Sequence, residues 1–136
     1  MTEPLLKIRV RIMSGDDIAF GPGKAQLLES LLVTGSLNRT ASEMKMSYVK
    51  ALALTKTMNT QFSEPLVELA RGGKQGGGTT VTNMGRKVLA EYQAMVATTD
   101  TAARPAWVRL QKLLRTDAVS AAAPEPESDA SGSDDD

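Results

Sequence analysis

The chain has 136 residues, which fits one domain of ordinary size, and it contains no Cys and no His, which excludes disulfides, Cys- or His-ligated zinc and Ser-His-Asp or HExxH chemistry. Sixteen Lys and Arg cancel sixteen Asp and Glu, yet all the basic residues lie between Lys7 and Arg115, and residues 1–116 hold only nine acidic ones, a net +7, while residues 117–136 hold seven acidic residues and no basic one. A basic body with an acidic tail is the pattern of a polyanion binder more than of an average enzyme.

Leu6, Ile8, Val10 and Ile12 alternate with Lys7, Arg9 and Arg11, a period of two that predicts a half-buried strand over Leu5–Ile12, apolar inward and basic outward. Ser14-Gly15-Asp16-Asp17 supplies turn chemistry. Gly21-Pro22-Gly23 breaks the chain before a helix in which Leu27, Leu28, Leu31 and Leu32 share a face, and Gly35 fits its left-handed end. Ser36 can cap the next helix through its hydroxyl, with Leu37, Ala41 and Met44 inward. Lys45-Met46 leaves only a tight turn before Ser47, a second cap. The helix that follows runs to about Phe62, with Ala51, Leu54 or Thr55, Met58 and Phe62 toward the core and Tyr48, Val49, Leu52 and Lys56 outward.

Leu66–Arg71 and Thr79–Thr82 read as short strands joined by Gly72–Gly78, which has five glycines in seven residues and suits no regular element. A long helical pattern begins at Asn83 with Met84, Val88, Tyr92, Met95 and Thr99 on one stripe. Pro105 is expected to end it and restart a shorter helix, where Trp107, Leu110, Leu113 and Leu114 share a face. Beyond Thr116 the composition cannot bury enough apolar surface to order itself, so residues 117–136 are expected to form a disordered acidic tail after a domain over 1–116.

Strand, helix, helix-turn-helix, hairpin and long helix, in that order, give a mostly α fold with a small β-hairpin: a winged helix-turn-helix with a long C-terminal helix. The stripe Val88, Tyr92 and Met95 and the cluster Trp107, Leu110 and Leu114 exceed what one small core needs and are expected to pair two chains, which makes that helix the dimerisation helix. In that arrangement the helix over 47–62 enters a major groove, which is wide enough for one helix. The glycine-rich wing over 72–78 reaches neighbouring phosphates, its glycines allowing close backbone approach while Lys74 adds charge and Gln75 polar donors. The glycine run does not make a Walker loop, because Glu68 stands five residues before Gly73 and Gln75 follows Lys74.

Residues 21–96 resemble the N-terminal DNA-binding domain of ModE-type molybdate-responsive regulators, a relative of the LysR-type winged helix. The matching stretches are Gly21-Pro22-Gly23-Lys24, Leu27-Leu28-Glu29-Ser30-Leu31, Thr34-Gly35-Ser36-Leu37, Met46-Ser47-Tyr48, Met58-Asn59, Pro65-Leu66-Val67-Glu68, the run Gly72–Gly78, Thr82 and Gly85. The Ser-Tyr opening of one helix with the GGKxGGG wing about 25 residues later is the specific part. The resemblance implies a homodimer, paired through its first and last long helices, that binds operator DNA. Val49 stands where the family places a basic residue, Leu52 where an aromatic is common, and Leu69 where Arg is frequent; these departures bear on which operator is read. In the full-length family oxyanion-binding modules follow this domain, whereas here the acidic tail leaves no room for one, so a stand-alone form is expected and molybdate sensing is not carried over.

The sequence therefore predicts a non-enzymatic, sequence-specific DNA-binding transcriptional regulator acting as a homodimer, with no cofactor and no metal. Ser47, Tyr48, Val49, Lys50 and Lys56 are expected to line the groove, Ser36 and Thr40 to meet phosphate, and Arg71, Lys74 and Gln75 to act from the wing. Double-stranded DNA is the expected partner, with RNA polymerase or another regulator beside it. The Met-Thr-Glu-Pro start lacks signal-peptide features and no apolar stretch approaches the roughly 18 residues of a membrane span, so a cytoplasmic, nucleoid-associated protein is expected. The alternative is a winged helix that docks on protein without binding DNA.

Overall fold

The computed structural model describes residues 3–69 and 78–115. Along the chain come β1 (Ile12–Ser14), β2 (Asp17–Phe20), α1 (Pro22–Thr34), α2 (Leu37–Glu43), α3 (Tyr48–Thr60), β3 (Val67–Leu69), β4 (Thr79–Val81) and α4 (Asn83–Gln111). The two strand pairs are separate antiparallel hairpins, β1 with β2 and β3 with β4. This is a mostly α winged helix with a long C-terminal helix. The acidic tail expected over 117–136 lies outside the described residues.

The helix boundaries follow local chemistry. Pro22 at the start of α1 has its φ preset for a helix and lacks an N–H that would be an orphan there. Gly35, at φ +65, ends the helix by donating its N–H to Leu31 O at 2.8 Å. Ser36 and Ser47 cap α2 and α3, their Oγ atoms accepting from the N–H groups of Arg39 at 3.1 Å and Lys50 at 3.0 Å. Between them α2 closes in a Schellman turn: Met46 N–H donates to Ala41 O and Lys45 N–H to Ser42 O, with Lys45 at φ +57. Thr82 caps α4, accepting from Gly85 N–H at 3.0 Å and donating its own proton to Pro65 O at 2.8 Å.

α1 is the central element, packing on α2, β4, β2 and α4. Leu27, Leu28 and Leu31 meet Leu37 and Ala41 of α2, Ala51 and Met58 of α3, and Leu66, Val67 and Val81 from the β3–β4 hairpin in one buried cluster. Phe20, wholly buried, stands edge-on to Phe62 at 6.0 Å and to Tyr92 at 5.0 Å between ring centroids. That trio ties β2, the segment after α3 and the first half of α4 together.

Two sequence expectations are corrected. The strand expected over Leu5–Ile12 is not one: residues 3–11 carry no strand pairing, which starts only at Ile12. The alternation survives as exposure, with Leu6, Ile8 and Val10 half-buried and Lys7 and Arg9 exposed. A period of two reports which side is wet; a ladder also needs a partner backbone, and β2 runs out at Phe20, opposite Ile12, before the chain turns into α1. Val10 O is satisfied instead by the Tyr92 hydroxyl at 2.7 Å. The break expected at Pro105 is also absent, since α4 runs unbroken from Asn83 to Gln111 with Pro105 inside it. Proline removes one i→i−4 hydrogen bond, but Ala102, Ala103 and Ala106 around it are strong helix formers and Arg104 pairs with Asp100 at 2.9 Å across the same turn.

Candidate nucleic-acid interface

The capped start of α3 is where the sequence-predicted residues gather. With Ala51, Thr55 and Met58 buried against the body, the helix leaves Val49, 73% exposed, and Tyr48, 46% exposed, at its first turn. Lys56 is exposed two turns on. Lys50 is half-buried on the flank that faces the β1–β2 hairpin, where it shares an open groove with Asp16, Asp17, Leu54 and Thr57. Ser47 is exposed, but its hydroxyl oxygen serves as the cap of α3. Leu52, expected outward, is half-buried and packs against the core.

On α2 the expectation for Thr40 is corrected. Thr40 is fully buried, and its hydroxyl lies 2.9 Å from Ser30 Oγ and 3.1 Å from Thr34 Oγ1, so it fastens α2 to α1 and does not face solvent. Ser36 is half-buried with its Oγ committed to the cap. Arg71, Lys74 and Gln75 lie outside the described residues. The strands that lead to them are described and place the ends of that segment, Leu69 and Thr79, opposite one another in the β3–β4 ladder.

The structure adds residues that the sequence reading passed over. Ala53, Thr57 and Thr60 are exposed on the same side of α3 as Val49 and Lys56, a stripe at spacings of three and four. Arg39 and Lys45 are exposed on α2 and the turn after it. Arg39 is outward by sequence spacing alone, two residues from the inward Leu37 and Ala41, but was not assigned to the interface. Lys24 differs from the other cations among the described residues: it is 2% exposed, and its Nζ donates to Ile18 O beneath the β1–β2 hairpin.

What the arrangement offers chemically is a short helix presented end-on and side-on, with a phenol, two ammonium groups, a valine and small hydroxyls at its exposed edge. Such a surface can donate to phosphates and base edges and make apolar contact with thymine methyls. Among the described residues no three acidic side chains come together to hold a metal ion, and no helix is long and apolar enough to cross a membrane.

A second surface lies on α4. Ile12, Phe62, Met84, Val88 and Met95 line an apolar groove, with Lys87 and Glu91 at its rim. Tyr92, expected in an intermolecular stripe, is 6% exposed and belongs to the chain's own core. Farther along, Val108, Leu110, Leu113 and Leu114 are exposed, and Trp107 is half-buried.

Comparison with known proteins finds several relatives. The chain is 37% identical over 95 residues to the molybdenum transport protein ModE of Azotobacter vinelandii, covering 70% of this chain and 35% of that protein. It is 33% identical over 97 residues to the transcriptional regulator ModE of Haemophilus influenzae, covering 71% and 36%. With the DNA-binding transcriptional dual regulator ModE of Escherichia coli it shares 32% identity over 74 residues, 54% of this chain and 28% of that one. The chain thus spans about a third of the length of these relatives. No protein-family model matches it.

Proposed function

We propose that this chain, which contains a ModE-type winged-helix domain, binds double-stranded DNA and acts as a transcriptional regulator, not as an enzyme. The observation that carries the reading is the exposed edge of α3: Tyr48, Val49 and Lys56 stand on one capped helix, with Lys50 half-buried on its flank, followed directly by a β-hairpin. In use, α3 lies in a major groove with its first turns against base edges. Arg39 and Lys45 meet phosphate from the α2 side, and Arg71, Lys74 and Gln75 do so from the wing. Assembly is as a homodimer, with apolar residues of α4 and just after it, the exposed Met95, Leu110 and Leu114 and the half-buried Trp107, covered by a second copy. Half-sites are then about one helical turn apart. RNA polymerase or another regulator is the further partner, and the setting is the cytoplasm, at the nucleoid. The domain spans residues 1–116, and residues 117–136 are an acidic extension of opposite charge.

A salt series of mobility-shift titrations tests this. Binding is expected to weaken steeply with salt, because each phosphate contact releases counterion. A duplex recovered by selection from random sequence is expected to bind more tightly than bulk DNA. Absence of binding at every salt concentration would sink the reading and favour protein docking.

A further inference from the structure

The recognition helix and the β3–β4 hairpin are separate pieces of chain, and a reading that uses both needs something that sets one against the other. Asn59, in the last turn of α3, is placed to do this. Its Oδ1 accepts from the N–H of Leu66 at 2.8 Å and of Val67 at 3.1 Å, and its Nδ2 donates to Val67 O at 3.0 Å. Both backbone groups of Val67 turn away from β4, so the amide side chain completes the outer edge of β3 as a third strand would. From the other side Thr82, the cap of α4, gives its N–H to Leu66 O at 2.9 Å and its hydroxyl proton to Pro65 O. The start of the hairpin is therefore gripped between the end of α3 and the beginning of α4. Few residues other than asparagine combine two acceptor sites and a donor at this reach; an apolar residue there would leave two N–H groups and a carbonyl unpaired in a partly buried place.

We propose that Asn59 is a positioning residue: it touches no nucleic acid, and it fixes the β3–β4 hairpin at the angle to α3 at which both meet one duplex. The DNA half of this rests on the function proposed above. The test uses the full chain, amide hydrogen exchange without DNA, and binding to a duplex that the unaltered chain has selected from a random-sequence library. In Asn59→Ala the amides of Leu66 and Val67 are expected to exchange roughly three- to tenfold faster, while those of Leu27, Leu28 and Leu31 keep their protection. Binding, measured well below the melting temperature where nearly all chains are folded, is expected to fall roughly tenfold. Asn59→Asp keeps the acceptor for both amides and loses the donor, and should fall between the two. Unchanged exchange at Leu66 and Val67 would overturn the clamp. Faster exchange with full affinity would leave Asn59 a stabilising residue only and overturn its positioning role. If Asn59→Ala does not fold, the aspartate variant decides alone: full affinity overturns the proposal, and reduced affinity with a protected α1 supports it. If no duplex is selected at all, the DNA reading falls by itself, and the exchange measurement still decides whether Asn59 holds the hairpin.

Discussion

The two halves of α4 are one continuous helix with different reasons to exist. Over its first half it buries Gly85, Leu89 and Tyr92 against α1, β2 and the hairpin base, and Gln93 reaches back to Glu29 of α1 at 2.7 Å. Val96 is the last residue of the helix that packs on the core, and from Ala97 onward none is buried, although about 22 Å of helix remains. Tertiary packing, which supplies most helical stability in proteins, is thus present on one half and missing from the other. The distal half is held by alanine-rich propensity and an i,i+4 ion pair, and it carries apolar residues with nothing of their own chain to cover them. α4 thus serves the fold at one end and leaves apolar residues uncovered at the other.

Substitutions sharpen this contrast. Tyr92→Ala removes a ring packed edge-on to Phe20 and the hydroxyl that satisfies Val10 O; it is expected to cost about 3–5 kcal/mol in denaturant unfolding. Gly85→Ala should come next, at about 1–3 kcal/mol, because the added Cβ would sit 2.3 Å from Leu66 O, a backbone atom that cannot swing aside. In the distal half Leu110→Glu should change single-chain stability by less than about 0.5 kcal/mol, yet shift sedimentation at micromolar concentration toward the monomer. A loss of stability as large as that of Tyr92→Ala would erase the contrast between the halves. Smallest of all, Arg104→Ala should cost about 0.3–0.5 kcal/mol, seen as a slight loss of helical signal at low salt and none at high salt.

The helices were legible because their signals are local. The caps Ser36 and Ser47, the glycine end of α1 and the inward spacing of Leu27, Leu28 and Leu31 are written within a few residues of where they act, whereas Thr82, read into a strand, caps α4. The misreadings share the opposite property. Whether Leu5–Ile12 becomes a strand depends on how far β2 extends, which its own alternation does not state. Thr40 looked like an available hydroxyl because Ser30 and Thr34, which take it up, sit on another helix. Leu52 was read as outward from helical phase alone, and only the position of the body decides how wide the buried face is. Pro105 marks a cost to a helix, and the neighbours decide whether that cost ends it. In the candidate interface Tyr48, Val49 and Lys56 could be read from phase, whereas the flank position of Lys50 beside Asp16 and Asp17 could not, since the β1–β2 hairpin that creates it comes from thirty-odd residues earlier.

The turn before α3 has an evolutionary consequence. Its two backbone bonds need a residue with positive φ, a place where glycine is at ease and any side chain is strained, and the chain keeps Lys45 there at φ +57. Holding lysine in that region costs about 1 kcal/mol, and the residue is exposed two positions before Ser47, the cap of α3. Lys45→Gly is therefore expected to raise the melting temperature while weakening attraction to any polyanion, in calorimetry and salt titration respectively. Durability and grip pull against each other at this residue, and a lineage selected for heat would be drawn toward glycine where one selected for occupancy would keep the charge.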